Sequence, residues 1–239
     1  MPVVSALRRV GHKGADLIAP GNTLPSFDAA LEAGVDMIEF DVLPDRGSDR
    51  LVLAHDYGAA AGAPALEDGL AHFASAAYDG VELDVDLKLP GYEARVVEAL
   101  REHGLLERAL ISTQYVESLH ALRAAAPEAR LGWSVPRVRR DYTGNPLTAV
   151  PAYAVLAVYR ARLPGRAGAA LRAGLCNALM AHWRLVTPRL LRSVESAGGQ
   201  LFVWTVDDLP TIRRFADLGV TGVITNDPRL FAQLARSPG

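Results

Sequence analysis

Cysteine and lysine are nearly absent from this chain: 239 residues hold one cysteine, Cys176, and two lysines, Lys13 and Lys88. A single cysteine closes no internal disulfide and builds no thiolate zinc cluster, so it reads as a small buried apolar residue. Excess charge is missing too. With 25 basic and 27 acidic residues the net charge is −2, which supplies no general attraction to nucleic acid or to anionic lipid. No apolar run approaches a membrane span, and the opening MPVVSAL is too short for the apolar region of a signal peptide. A cytoplasmic, reducing setting without a membrane anchor is therefore expected. Gly (21) and Pro (15) are at ordinary levels, which excludes collagen-like and low-complexity readings.

The shortage of lysine is informative because arginine is plentiful. Lys13 and Lys88 stand alone among 25 basic residues. Where the chain needs only a solvated positive charge it uses arginine, so the two lysines are candidates for places that want a compact point charge. The competing explanation is chance under a GC-rich coding bias.

The chain shows no linker and no charge block. Short strand-like runs alternate with amphipathic helical runs, the pattern of βα units around a parallel sheet. Strands are expected at 7–12, 37–43, 51–56, 81–88, 109–114, 130–135, 177–182, 200–206 and 222–227. Helices are expected at 25–34, 92–104, 116–126, inside 147–173, and at 187–199, 208–219 and 228–236. If 37–43 and 51–56 form one unit with a small hairpin, about eight units result, the arithmetic of a TIM (β/α)8 barrel in one domain. The alternative, an open nucleotide-binding sheet, expects a glycine-rich loop that GHKGADLIAPG does not supply. In the strand at 81–88, Val81, Leu83, Val85 and Leu87 share one face and Glu82, Asp84, Asp86 and Lys88 the other. A barrel packs the first face on its helices and turns the second inward.

Active sites of such barrels sit at the C-terminal strand ends. Reading these ends in order gives His12, Glu39 and Asp41, His55, Asp86 and Lys88, Gln114, His182, Trp204 and Asn226. Glu39 and Asp41 point the same way, and Asp86 ends the next barrel strand. Carboxylates 4 Å apart repel by about 4 kcal/mol per pair at an effective dielectric near 20. A hard divalent cation with oxygen ligands would compensate: Mg²⁺, Ca²⁺ or Mn²⁺. The competing expectation is salt bridges to Arg8 or Arg9. His12 and His55 titrate near neutrality and can divide the roles of proton acceptor and donor. Three carboxylates, a divalent ion and both lysines sum to +1, which a phosphodiester would neutralise. Asn22 or Thr23 caps the helix that follows, and the N–H groups there could hold a phosphate oxygen.

These residues carry a resemblance. GHKGADLIAPGNTLPSFDAALEAGVDMIEFDVL followed by VLAHD resembles the opening of the glycerophosphodiester phosphodiesterase family, and DLK, FVWTVDD and GVITNDP extend the likeness over nearly the whole chain. The resemblance implies a metal-dependent TIM barrel that hydrolyses glycerophosphodiesters to glycerol 3-phosphate and an alcohol, an activity of lipid and glycerol metabolism. It implies His12 and His55 as the acid–base pair and Glu39, Asp41 and Asp86 as ligands of a divalent metal. Lys88 matches the lysine after the third carboxylate, and Trp204 a tryptophan on the glycerol side. Lys13, Asn22 and His182 complete the candidate substrate contacts. The partner implied is a small phosphodiester; the oligomeric state is left open. Four departures stand out: Lys13 for the family's Arg, Gly21 for Glu, Asp86 for Glu, and a shortened insertion between His55 and Asp86. The rival readings are a phosphodiesterase acting on lysophospholipid or phosphoinositide head groups, and a non-catalytic barrel that binds a phosphorylated ligand.

Overall fold

The computed structural model describes residues 7–137 and 146–234. Its barrel strands are β1 (Arg8–Gly11), β2 (Met37–Pro44), β4 (Glu82–Leu87), β5 (Ala109–Thr113), β6 (Arg130–Val135), β7 (Ala178–His182), β8 (Gln200–Trp204) and β9 (Gly222–Thr225). These pair in parallel in chain order, and β1 meets both β2 and β9, which closes the sheet. The remaining strand, β3 (Leu51–Val52), runs antiparallel to the end of β2 as a hairpin. The helices are α1 (Leu24–Glu32), α2 (Leu66–Phe73), α3 (Glu93–Glu102), α4 (Val116–Ala125), α5 (Pro146–Arg172), α6 (Pro188–Glu195) and α7 (Leu209–Leu218). The fold is the TIM barrel expected from the alternation.

The period-2 pattern of each strand divides the core in two. Outward residues such as Ile38, Phe40, Leu83, Val85 and Ile111 join the helices in one large cluster, while Val10, Met37, Leu110, Met180, Phe202 and Ile224 fill the barrel interior. That interior is layered, as closed barrels are. At its N-terminal end Arg8 and Arg130 both pair with Glu82. The apolar layer lies above them, and the polar residues of the mouth above that. The inward face of β4 thus runs from Glu82 at the floor to Lys88 at the mouth, as its alternation requires.

Three local expectations need correction. The strand at 51–56 is only two residues long, so His55 lies on the loop beyond the hairpin and not at the end of a barrel strand. The run at 228–236 is a 3-10 turn (Pro228–Gln233), and its last two positions lie outside the described residues. Helix α2 has no counterpart among the expected helices. Its buried Leu66, Gly69, Leu70 and Phe73 form a single stripe at helical spacing, and Phe73 packs between Phe27 and Phe40 with centroids 4.7 and 5.2 Å away. Gly69 looks like a breaker in sequence, yet a Cβ there would meet Leu53 Cδ1 at 2.7 Å. Glycine is what lets the helix approach the hairpin.

Candidate active site

A cavity of about 240 Å³ opens at the C-terminal mouth, and His12, Glu39, His55, Asp86, Lys88 and Trp204 all line it. The first stave brings His12, and the loop after it holds the carboxylates of the second. In that loop Lys13 and Asn22 have left-handed backbones, with φ of 50° and 60°. Such strain in side-chain-bearing residues persists where contacts impose it. Here the Lys13 N–H donates to Glu39 Oε2 at 2.8 Å. Asn22 and Asp41 exchange two bonds: Asn22 Nδ2 donates to Asp41 Oδ2 at 2.8 Å, and the Asp41 N–H donates to Asn22 Oδ1 at 3.0 Å. Thr23, not Asn22, is the cap of α1, its hydroxyl accepting from the Ser26 N–H.

Glu39, Asp41 and Asp86 each offer an oxygen, all within 4.8 Å of one another. Parallel register explains it: Asp41 is the Cα partner of Asp86 across β2 and β4. Arg8 and Arg9 do not neutralise this group; they pair with Glu82 and Asp36. Lys88 does so in part, its Nζ 2.6 Å from Asp41 Oδ1 and 2.7 Å from Asp86 Oδ2. Burial alone would lower the Lys88 ammonium, but Asp86, Asp41 and Glu39 raise it above the usual lysine value. Burial would likewise raise Asp41, yet Lys88, then His55 and His12, hold it well below the carboxylate range. Glu39 moves the other way, raised by burial and by Asp41 and Asp84. The split follows contact: Lys88 touches Asp41 and not Glu39. Asp86 Oδ1 is buried with no hydrogen-bond partner. Three clustered carboxylates with a spare oxygen and one ammonium fit a hard divalent cation.

The two histidines are held differently. His12 Nδ1 lies 2.5 Å from Asn226 Oδ1 and its Nε2 3.8 Å from Glu39 Oε2. Asn226 is itself oriented by Asp207, whose Oδ2 accepts from Asn226 Nδ2 at 2.7 Å and whose Oδ1 accepts from the Asn226 N–H at 2.8 Å. Burial pushes His12 below the ordinary histidine value, with Asp41 and Asn226 opposing. His55 is half exposed, and its Nδ1 lies 3.4 Å from Asp56 Oδ2.

Lys13, Asn22 and His182, expected as substrate contacts, are not among the lining residues. Lys13 Nζ faces Asp16 at 3.4 Å. Gly21 makes room for that carboxylate, since a Cβ there would meet Asp16 Oδ1 at 2.5 Å. His182 packs edge-on against the Trp204 ring, centroids 5.2 Å apart, and accepts from the Arg184 N–H. Trp204 donates from its indole to the Met180 carbonyl at 2.9 Å. The cavity also reaches residues that sequence reasoning did not place in the site: Asp84, Ser112, Ser134 and Thr205. Asp84 could have been found, because its parity on β4 is that of Asp86. Burial, then Asp86 and Asp41, push its carboxyl up to about 8 against an opposing Ser112 hydroxyl bond, a balance that a bound cation inverts. The serines carry no motif.

Fold and site together define a TIM-barrel enzyme with two histidines beside a buried carboxylate cluster. The chain belongs to the glycerophosphoryl diester phosphodiesterase family, whose model matches residues 12–64 and 88–230. It is 24% identical to the glycerophosphodiester phosphodiesterase of Caldanaerobacter subterraneus over 96% of this chain and 98% of that protein. Among solved structures it resembles a putative glycerophosphoryl diester phosphodiesterase from Agrobacterium tumefaciens, with TM-score 0.76, 21% identity and coverage of 96% and 97%. It also resembles an Oleispira antarctica phosphodiesterase solved in complex with the product sn-glycerol-3-phosphate, with TM-score 0.72, 19% identity and coverage of 97% and 98%.

Proposed function

We propose that this enzyme hydrolyses glycerophosphodiesters to glycerol 3-phosphate and an alcohol, with a divalent metal and a histidine pair. The observation that carries the reading is His12, oriented through Asn226 with its Nε2 3.8 Å from a carboxylate of the cluster. Glu39, Asp41 and Asp86 would hold Mg²⁺, Ca²⁺ or Mn²⁺. When bound, the ion supplies charge for the phosphoryl oxygens.

His12 Nε2 removes the proton of the glycerol 2-hydroxyl, and that oxygen attacks phosphorus. The ester bond to the head-group alcohol breaks as His55 protonates the departing oxygen. Water then opens the resulting cyclic phosphate, with the proton roles reversed. A half-exposed acid at the mouth suits a leaving group that departs to solvent. Lys88 adds positive charge at the phosphate and holds Asp41 and Asp86 in place, and Trp204 walls the glycerol side. Lys13 and Asn22 act on Glu39 and Asp41 through their N–H groups, and His182 sets the Trp204 ring.

Phosphorus NMR of glycerophosphocholine turnover with diamagnetic Mg²⁺ or Ca²⁺ tests this. Transient cyclic glycerophosphate followed by glycerol 3-phosphate is expected; phosphocholine plus glycerol would contradict it. A second reading, an acyl-bearing ester such as a lysophospholipid, is favoured by Leu17 and Ile18. These are 61% and 39% exposed on the loop that joins β1 to α1, where the Leu17 N–H bonds the Asn226 carbonyl at 3.0 Å.

A further inference from the structure

One buried acid of the mouth has no part in the chemistry above. On β2 and β4 the register pairs Glu39 with Asp84 and, two residues on, Asp41 with Asp86. Four inward carboxylates thus form two rows of two. Three of them make up the close cluster, and Asp84 is the fourth. It is 1% exposed, and its Oδ1 is buried without a hydrogen-bond partner. It lines the same cavity as Glu39 and Asp86. The charged groups it faces are Asp86, Asp41, Glu39 and Lys88, one cation against three anions. A buried carboxyl with an unpaired oxygen is costly unless a partner satisfies it, and Asp84 lies at the wall of the cavity beside the cluster.

We propose that Asp84 is an outer carboxylate of the metal centre, holding the bound ion through its charge and through ion-bound water. The assignment rests on the reading of this site as a divalent-metal phosphodiesterase. It has a consequence of two signs. With the divalent ion bound and all four carboxylates ionised, the carboxylates, Lys88 and the ion sum to −1. Asp84 therefore strengthens the hold on the cation and weakens that on an anionic ester. A residue that merely packs moves neither in this way.

The test is titration calorimetry of the full chain with Mn²⁺ alone, comparing the parent with Asp84→Asn and Asp84→Ser. The KM for glycerophosphocholine is measured beside it at saturating Mn²⁺. Asp84→Asn keeps the shape and removes the charge; it is expected to weaken Mn²⁺ binding by about tenfold or more, with KM unchanged or lower. Asp84→Ser is expected to show the same loss and answers if the amide variant fails to fold. Mn²⁺ affinity within twofold of the parent would overturn the proposal. So would a raised KM with unchanged ion affinity, which would put Asp84 on the substrate side. A parent that binds Mn²⁺ and loses it on Asp84→Asn, yet cleaves no phosphodiester, would uphold this assignment while sinking the functional reading.

Discussion

Asn226 points its side-chain oxygen at His12 Nδ1, 2.5 Å away, because Asp207 holds its amide nitrogen at 2.7 Å. A carboxylate only accepts, so the amide cannot turn over, and the imidazole proton is fixed on Nδ1. The lone pair of Nε2 is then left on the side of the carboxylate cluster. Asp207 thereby determines which nitrogen of His12 carries the proton, and is not among the residues that line the cavity.

Asp207→Asn breaks this chain of orientation, since an amide can present a donor to Asn226 and reverse it. The expected outcome is a fall in kcat of roughly 10²-fold or more, with KM and metal affinity within a few-fold of the parent. Steady-state kinetics with calorimetry in parallel checks it; an unchanged kcat would release Asp207 from the role.

The depressed His12 sets an acid limb. Below the ordinary value of 6.5 the unfolded chain takes up the proton before the folded one. His12's contribution to stability is therefore full above about pH 6.5 and is lost as pH falls through the lower, folded value. kcat/KM should decline as pH falls through that lower, folded value, where Nε2 is protonated. His12→Ala and His55→Ala should each lower kcat by about 10²–10⁴-fold and leave Mn²⁺ affinity intact. An acid limb centred at or above 6.5 would contradict the assignment of the base.

Asn22 tests the hold on the metal carboxylates. Asn22→Ala deletes both bonds to Asp41, and second partners of metal ligands are worth roughly 10–100-fold in affinity. Mn²⁺ titration should show a loss of that order, with the fold retained. Affinity equal to the parent's would mean that Asp41 needs no positioning.

Lys88→Met removes the ammonium that Asp41 and Asp86 share. Leaving buried charges unpaired costs about 3–5 kcal/mol, and thermal unfolding of the metal-free variant should show it. Saturating Mn²⁺ should restore part of the loss by neutralising the same carboxylates. Equal stability of parent and variant without metal would mean that the pair is not buried in solution.

Most of this architecture is legible in the sequence for one reason: in a closed parallel barrel, strand parity sends every second residue inward. Glu39 with Asp41, and Asp86 with Lys88, follow from that parity together with their place at the C-terminal strand ends. His55 escaped it, because the hairpin strand before it is short and the loop that carries it has no period. Helix α2 was hidden by Gly69, whose close approach to Leu53 no local pattern announces. The orienting roles of Asp207 and Asn22 depend on contacts between the first stave and distant segments. Sequence offered Asn22 or Thr23 as the helix cap; Thr23 takes it, and the Asn22 side chain turns to Asp41.

The most direct test of the whole account is release of glycerol 3-phosphate from a panel of glycerophosphodiesters, glycerophosphocholine included, with Mg²⁺, Ca²⁺ or Mn²⁺ and again after chelation. Turnover is expected with at least one ion, abolished by chelator and restored by adding the ion back. No release above background with any ion and any head group would contradict it and leave a barrel that only binds.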